Sequence, residues 1–201
     1  MTTVTKKEYV DLRKLVKTAD KKGEIKKSWA WYQENVRTAA DNRSRQKFLG
    51  DNITYQKKNV QIGSMVFFFY SAKHKDTLPY WDTSPLSIIF GEDSDYFYGL
   101  NLHYISPLMR AVILEKLLQY ADNDKLTART KFKMTWETLK SFSELPIIKP
   151  CVKKYLKKQV KSNFLVIPLY DAKYIVWLPL ENFRNASNQQ VWEDSRMLGG
   201  K

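Results

Sequence analysis

Few residues in this chain have the types and spacing that a catalytic site requires. The single cysteine, Cys151, could act as a nucleophile if His74 or His103 served as its base. A lone cysteine is more often a small packing residue, and we expect packing here. The motifs of phosphate-binding loops, dinucleotide-binding turns, zinc proteases and serine hydrolases are absent from the sequence. The sequence therefore predicts a protein that is not an enzyme, with no catalytic residue and no cofactor.

The densest acidic group consists of Glu92, Asp93 and Asp95. Such carboxylates could hold a hard cation, and a nuclease would use them that way, with Asp76 and Asp82 as the other nearby acids. They also stand between two apolar runs, where Asp and Ser are typical of a solvated turn. We expect the turn. With one cysteine and two histidines the chain cannot form a zinc-finger site, and we predict no metal ligands.

The charge is strongly positive and unevenly distributed. The 201 residues carry a net charge of +13, from 34 Lys and Arg against 21 Asp and Glu. Residues 1–60 contribute +8, residues 61–120 contribute −2 and residues 121–201 contribute +7. Such a field attracts a polyanion, which points to nucleic acid, an acidic membrane surface or an acidic protein partner.

One basic group falls in a segment with helical periodicity. Val152, Tyr155, Leu156 and Val160 recur at helical spacing, which predicts a helix over about 150–161 with one apolar stripe. Lysines occupy the rest of that helix and would form a positive ridge able to neutralise phosphates, although a solvated helix face is the alternative. The predicted DNA-binding residues of the ridge are Lys153, Lys154, Lys157, Lys158 and Lys161.

A second basic group lies in the first third of the chain, where Trp31 and Tyr55 could also stack on exposed bases. We expect residues 41–61 to be a linker or arm that orders when it binds a partner. The predicted DNA-binding residues here are Lys21, Lys22, Lys26, Lys27, Arg43, Arg45, Lys47, Lys57 and Lys58.

The elements that would position these residues follow from periodicity and punctuation. Short apolar runs joined by polar turns, in two groups separated by helices, predict an α+β fold with a small, curved antiparallel sheet or barrel. We expect a basic N-terminal helical arm and linker over 1–60 and a core domain over 61–201. The predicted helices cover 6–20, 24–40, a segment beginning at 106–107, and 135–142; the predicted strands cover 65–70, 85–90, 96–105, 164–168 and 174–178; residues 183–201 are predicted to be polar and peripheral.

The aromatic residues of the central strands could line a ligand box, but strand alternation equally lets them fill two packed faces, and we expect a core. The longest apolar run, 65–70, is far too short to span a bilayer, and the first residues contain no apolar signal core. We therefore expect a soluble protein without a membrane partner.

A set of short motifs spans most of residues 63–195. It consists of Gly63–Met65, Phe69–Tyr70, Lys73–Asp82, Ser84–Pro85, Phe97–Tyr104, Pro107, Arg110, Lys149–Cys151, Lys154–Leu156, Leu178–Pro179, Phe183 and Val191–Ser195. These motifs resemble a block in small proteins of contractile-tailed bacteriophages, the DNA end protector family. The most specific part is the run 98–104, and residues 1–60 resemble only a variable helical arm.

This resemblance implies a non-enzymatic virion protein that caps the ends of packaged double-stranded DNA during head completion. It would occupy the virion and, during assembly, the host cytoplasm, with DNA and other phage structural proteins as partners and no small-molecule substrate. The alternative is a structural protein of the phage neck, tail or baseplate, whose basic segments dock on acidic subunits. The sequence leaves both hypotheses open.

Overall fold

The computed structural model describes most of the central and C-terminal chain. Helices 6–20 and 24–40, strand 174–178 and all predicted DNA-binding residues before Lys57 lie outside the described residues, as does Lys58. The described residues are 56–57, 59–107, 109–110, 113–114, 125, 137, 140–141, 144–146, 148–167 and 180–199.

The strands are β1 Gln56–Lys57, β2 Met65–Phe67, β3 Trp81–Asp82, β4 Leu86–Glu92, β5 Tyr96–Asn101, β6 Val152–Leu156, β7 Phe164–Ile167 and β8 Phe183–Arg184. The centre of the fold is a six-stranded antiparallel sheet with the order β1-β7-β2-β4-β5-β6. A second sheet pairs β3 with β8, and a helix, α1, covers Asn188–Gly199. This confirms the predicted α+β class with a curved antiparallel sheet.

Successive side chains of each strand point to opposite faces of the sheet. Both faces of the large sheet carry a buried cluster. One face carries Leu86, Ile88 and Leu100, which pack with Val191 of α1. The other face is mainly aromatic. Its Phe68 and Phe97 rings pack edge to face, with 5.4 Å between the ring centres. The prediction that the central aromatic residues form core is thus confirmed for the buried rings.

The turn between β4 and β5 forms as predicted, at the acidic cluster. Asp93 accepts hydrogen bonds from the backbone N–H and the hydroxyl of Ser94. The strand predicted over 96–105 ends earlier, at Asn101. The Asn101 side chain accepts the backbone N–H of His103 and caps a 3-10 turn at Leu102–Tyr104. An asparagine side chain that bonds to nearby backbone competes with the strand ladder, which explains the early end.

The helix predicted over 150–161 is wrong. The segment consists of a 3-10 turn at Lys149–Cys151, strand β6, and a second 3-10 turn at Lys157–Gln159. Every residue of β6 pairs with β5, from Leu156 opposite Tyr96 to Val152 opposite Leu100. The apolar spacing fits a helix locally, but pairing with an adjacent strand overrides that preference. The five lysines therefore do not form a ridge on a helix.

The prediction that residues 183–201 are peripheral is also wrong. α1 lies against the 3-10 turns at Leu102–Tyr104 and Lys149–Cys151, with Val191 fully buried and Ser195 nearly so. These two residues are four positions apart and therefore share one helix face. A mostly polar helix can pack through a stripe of only two residues. The polar composition of the segment therefore does not indicate that the helix is packed.

Candidate functional site

The lysine segment, Lys153–Lys161, follows the edge of the large sheet, since β6 is the last strand in the order. Its lysines differ in exposure. Lys154, Lys158 and Lys161 are exposed, whereas Lys153 and Lys157 are half-buried. The structure thus brings the five predicted residues into one segment but gives them unequal access to a partner.

Lys153 is directed into the protein. Its Nζ lies 3.7 Å from the centre of the Tyr104 ring, in a cation–π contact. Burial lowers the pKa of Lys153 to about 8, because desolvation disfavours the charged amine. This lysine contributes more to packing than to a surface that meets phosphate.

Lys154 and Lys157 lie beside the acidic turn. Lys157 Nζ is 2.6 Å from Glu92 Oε1, and Lys154 Nζ is 3.8 Å from the centre of the Tyr96 ring. Hydrogen bonds from Ser94 lower the pKa of Asp93, and the charges of Lys154 and Lys157 lower it further. The acids therefore partly neutralise the positive field at this end of the segment.

Lys158 and Lys161 are the remaining two lysines of the segment. Both side chains are exposed, and no acidic side chain within the described ranges forms an ion pair with either. Exposed cations without an acidic partner are the groups best able to contact a phosphate backbone. Within the lysine segment they are the clearest phosphate-binding candidates.

A cavity of about 240 Å³ lies beside the Glu92–Lys157 pair. Its charged groups are these two side chains, of opposite sign and in contact, so it offers no net positive charge to a phosphate. The lining residues are Asn59, Val60, Glu92, Lys157, Val160, Ser162 and Phe164.

A buried polar network lies away from the lysines, around Asp82. Its carboxylate accepts hydrogen bonds from His103 Nδ1 at 2.7 Å, Asn101 Nδ2 at 3.0 Å and the Ser84 backbone N–H at 3.0 Å. Burial raises the pKa of Asp82, but the charge of His103 and these hydrogen bonds outweigh it and hold the pKa below its usual value. Within the described part of the chain, His103 Nε2 is buried without a hydrogen-bond partner.

Arg110 extends this network. It is buried, forms an ion pair with Glu181, and donates from Nε to the Ile105 carbonyl at 2.6 Å. The His103 carbonyl accepts from Arg110 at 3.3 Å and from Trp192 Nε1 of α1 at 2.9 Å. The network thus joins the end of β5 to the C-terminal helix. A histidine–carboxylate pair so enclosed is suited to holding structure.

Neither Cys151–histidine pair considered from sequence forms. His103 bonds to Asp82, and His74 lies in an exposed turn. The Cys151 thiol is buried, with Sγ 3.6 Å from the Tyr104 carbonyl oxygen, and burial raises its pKa to about 11. The prediction that Cys151 is a packing residue is confirmed.

Sequence reasoning missed the Asp82–His103 pair. A local signal existed, because Asp82 bonds to the backbone N–H two residues later, a turn that aspartate favours. Nothing in the residue order indicates that His103 would be the partner of Asp82.

Among the described residues, no group of three or more His, Cys, Asp or Glu side chains could hold a metal ion. No helix in the same part of the chain is long and apolar enough to cross a membrane.

Comparison with known proteins supplies the family. Residues 4–195 match the family described as phage T4 terminal DNA protecting protein. No curated protein and no solved structure matches the chain. The matched range contains the first basic group as well as the lysine segment, the buried network and most of α1. A match over nearly the whole length is sufficient for assignment, and the chain belongs to the family of the phage T4 terminal DNA protecting protein.

Proposed function

We propose that this protein binds the ends of double-stranded DNA in the phage particle and protects them. The observation that carries the proposal is the exposed pair Lys158 and Lys161, free of acidic partners among the described side chains, in a member of a family described as terminal DNA protecting. Ammonium groups displace the counterions around phosphates, which gives strong binding that depends on salt and not on sequence.

The other lysines of the segment have graded roles in this proposal. Lys154 and Lys157 contribute less, because the acidic turn lies against them. Lys153 contacts the Tyr104 ring and contributes to packing beneath the surface, so it makes no phosphate contact in this proposal. The basic residues of the first third of the chain, listed above, provide a second set of phosphate contacts from the arm.

In this proposal the protein acts by occupying the DNA end. A bound end is inaccessible to exonucleases, and no bond in the DNA is made or broken. The most catalysis-like pair in the described structure, Asp82 and His103, is buried, so a phosphate in solvent does not reach it. Binding after packaging would place the protein in the virion at head completion.

The first test measures affinity for a labelled linear duplex in the presence of a circular competitor, over a salt series. We expect tight binding that weakens steeply as salt rises and that persists in excess circular DNA. Binding abolished by the circle would overturn end recognition and leave backbone binding. No binding near physiological salt would overturn the proposal and favour a structural protein that docks on other subunits.

A second test measures survival of the linear duplex during exonuclease digestion. The wild-type protein should protect the duplex, and Lys158→Gln/Lys161→Gln should protect it less. The matched control, Lys149→Gln/Arg196→Gln, removes the same charge from exposed residues at α1 and at the opposite end of β6. Equal protection by the two double variants would contradict the assignment of Lys158 and Lys161.

A further inference from the structure

The chain that leaves β2 runs alongside the end of the lysine segment. The Lys161 N–H donates to the Phe69 carbonyl at 2.8 Å, and the Ser71 N–H donates to the Gln159 carbonyl at 3.0 Å. Between them, Tyr70 and Val160 form an antiparallel bridge. The loop that starts at residue 72 therefore begins directly beside Lys158 and Lys161.

This loop is itself basic at its start. Lys73, His74 and Lys75, here called the basic loop, are all exposed. The backbone N–H groups of Thr77 and Leu78 both donate to the His74 carbonyl, at 3.1 and 3.0 Å. These bonds close a compact turn that begins three residues after Ser71, the last residue hydrogen-bonded to the lysine segment.

The four lysines of the two segments, Lys73, Lys75, Lys158 and Lys161, share an electrostatic property. All are exposed, and none has an ion-pair partner within the part of the chain that the structure describes. Lys157, the residue immediately before Lys158, is instead paired with Glu92. Four exposed lysines without an ion-pair partner among the described residues thus lie on the two segments that the Tyr70–Val160 bridge brings together.

We infer that the basic loop and the pair Lys158 and Lys161 together form one phosphate-binding surface for the backbone of double-stranded DNA. The inference rests on the proposed function and adds Lys73 and Lys75 to its site. Two short segments, distant in sequence, would contact neighbouring phosphates of the same duplex. Duplex DNA carries about one charge per 1.7 Å of its axis, so clustered lysines can each meet a phosphate.

The test compares the salt dependence of duplex binding for the wild-type protein, Lys73→Gln/Lys75→Gln, and the control Lys149→Gln/Arg196→Gln. The slope of log K against log salt is negative, and each lost lysine–phosphate contact reduces its magnitude by about 0.9. We expect the magnitude of the slope to fall in the basic-loop variant by close to the contribution of two contacts. The control should keep the wild-type slope. Circular dichroism and thermal unfolding would establish that both variants remain folded.

Two outcomes separate the inference from the proposed function. If the wild-type protein binds DNA and the basic-loop variant keeps its slope, the inference fails and the proposed function stands. If the wild-type protein does not bind DNA, both fail.

Lysine acetylation measured by mass spectrometry tests the inference without substitutions. Duplex DNA should protect Lys73 and Lys75 from the reagent but leave Lys149 reactive, and equal labelling with and without DNA would overturn the inference.

Discussion

His103 Nδ1 lies 2.7 Å from a carboxylate oxygen of Asp82, and both side chains are buried. The contact joins the end of β5 to β3, and the carbonyl of the same histidine accepts a hydrogen bond from Trp192 of α1. Because three parts of the chain meet at this pair, we expect it to stabilise the arrangement of the large sheet, the small sheet and the C-terminal helix.

Replacing Asp82 should therefore be costly. Asp82→Ala leaves His103 and Asn101 without their buried acceptor, and each buried donor left without a partner costs about 1–3 kcal/mol. We expect a loss of that order in the free energy of unfolding, measured by denaturant titration. Asp76→Ala, at an exposed loop position, should change the free energy by less than about 0.5 kcal/mol. Similar small effects from both substitutions would contradict a structural role for the pair.

The same pair predicts a dependence of stability on pH. The pKa of Asp82 lies below its ordinary value of 3.8 in the folded protein, so folding favours the ionised form. Its contribution is fully present above the unfolded pKa and is lost as the pH falls through the folded pKa. Free energies of unfolding measured from pH 6 to pH 2 should therefore fall more for the wild type than for Asp82→Asn. Parallel curves would show that Asp82 is not the group responsible.

Two glycines of neighbouring strands should respond differently to alanine. A Cβ added at Gly99 would lie 3.0 Å from the Ser87 Cβ and 3.3 Å from the Ile89 Cδ1, both in the packed interior. Such overpacking costs about 1–3 kcal/mol. A Cβ at Gly91 would meet the ring of Tyr98 at 3.3 Å, and this half-buried ring can shift more easily than the fully buried Ser87 and Ile89. Thermal unfolding should rank Gly99→Ala as the less stable variant, and the reverse order would contradict this packing.

The Cys151 thiol should be unreactive in the folded protein. It is 1 % exposed, and burial raises its pKa to about 11, so little thiolate forms at pH 8 and little of it is accessible. Iodoacetamide labelling, followed by mass spectrometry, should be slow in buffer and fast in denaturant. Since Cys151 is the only cysteine, the signal is unambiguous. Rapid labelling of the folded protein would revive a reactive role.

Neutralising the acidic turn should strengthen DNA binding. Glu92→Gln releases Lys157 from its ion pair and removes one negative charge from the edge that carries the lysine segment. The pair is about one-third exposed, so its loss should cost less than about 1 kcal/mol of stability. Duplex titrations should give a lower Kd for this variant, most clearly at low salt. A Kd higher than that of the wild type would place the turn in contact with DNA through hydrogen bonds.

Several elements could be predicted because their signals are local. The apolar runs that became β2, β4 and β7 are short and end at polar residues, and the cluster around Asp93 has the composition of a turn. The burial of Cys151 and the packing of Phe68 and Phe97 followed from the hydrophobic effect and from strand alternation. The positive charge of both ends of the chain can be counted directly from the sequence. The family resemblance also lies in the order of the residues.

Tertiary structure decided the remainder, because each missed feature depends on a partner far away in the chain. Val152–Leu156 has helical periodicity, yet β5 offers an edge on which it pairs as a strand. α1 docks through Val191 and Ser195 on turns that come earlier in the chain. Asp82 acquires His103, and Ser71 acquires Gln159, by long-range contact. Residue types determine what each segment can do, and only the folded arrangement decides which lysines stay paired with acids and which are left for a partner.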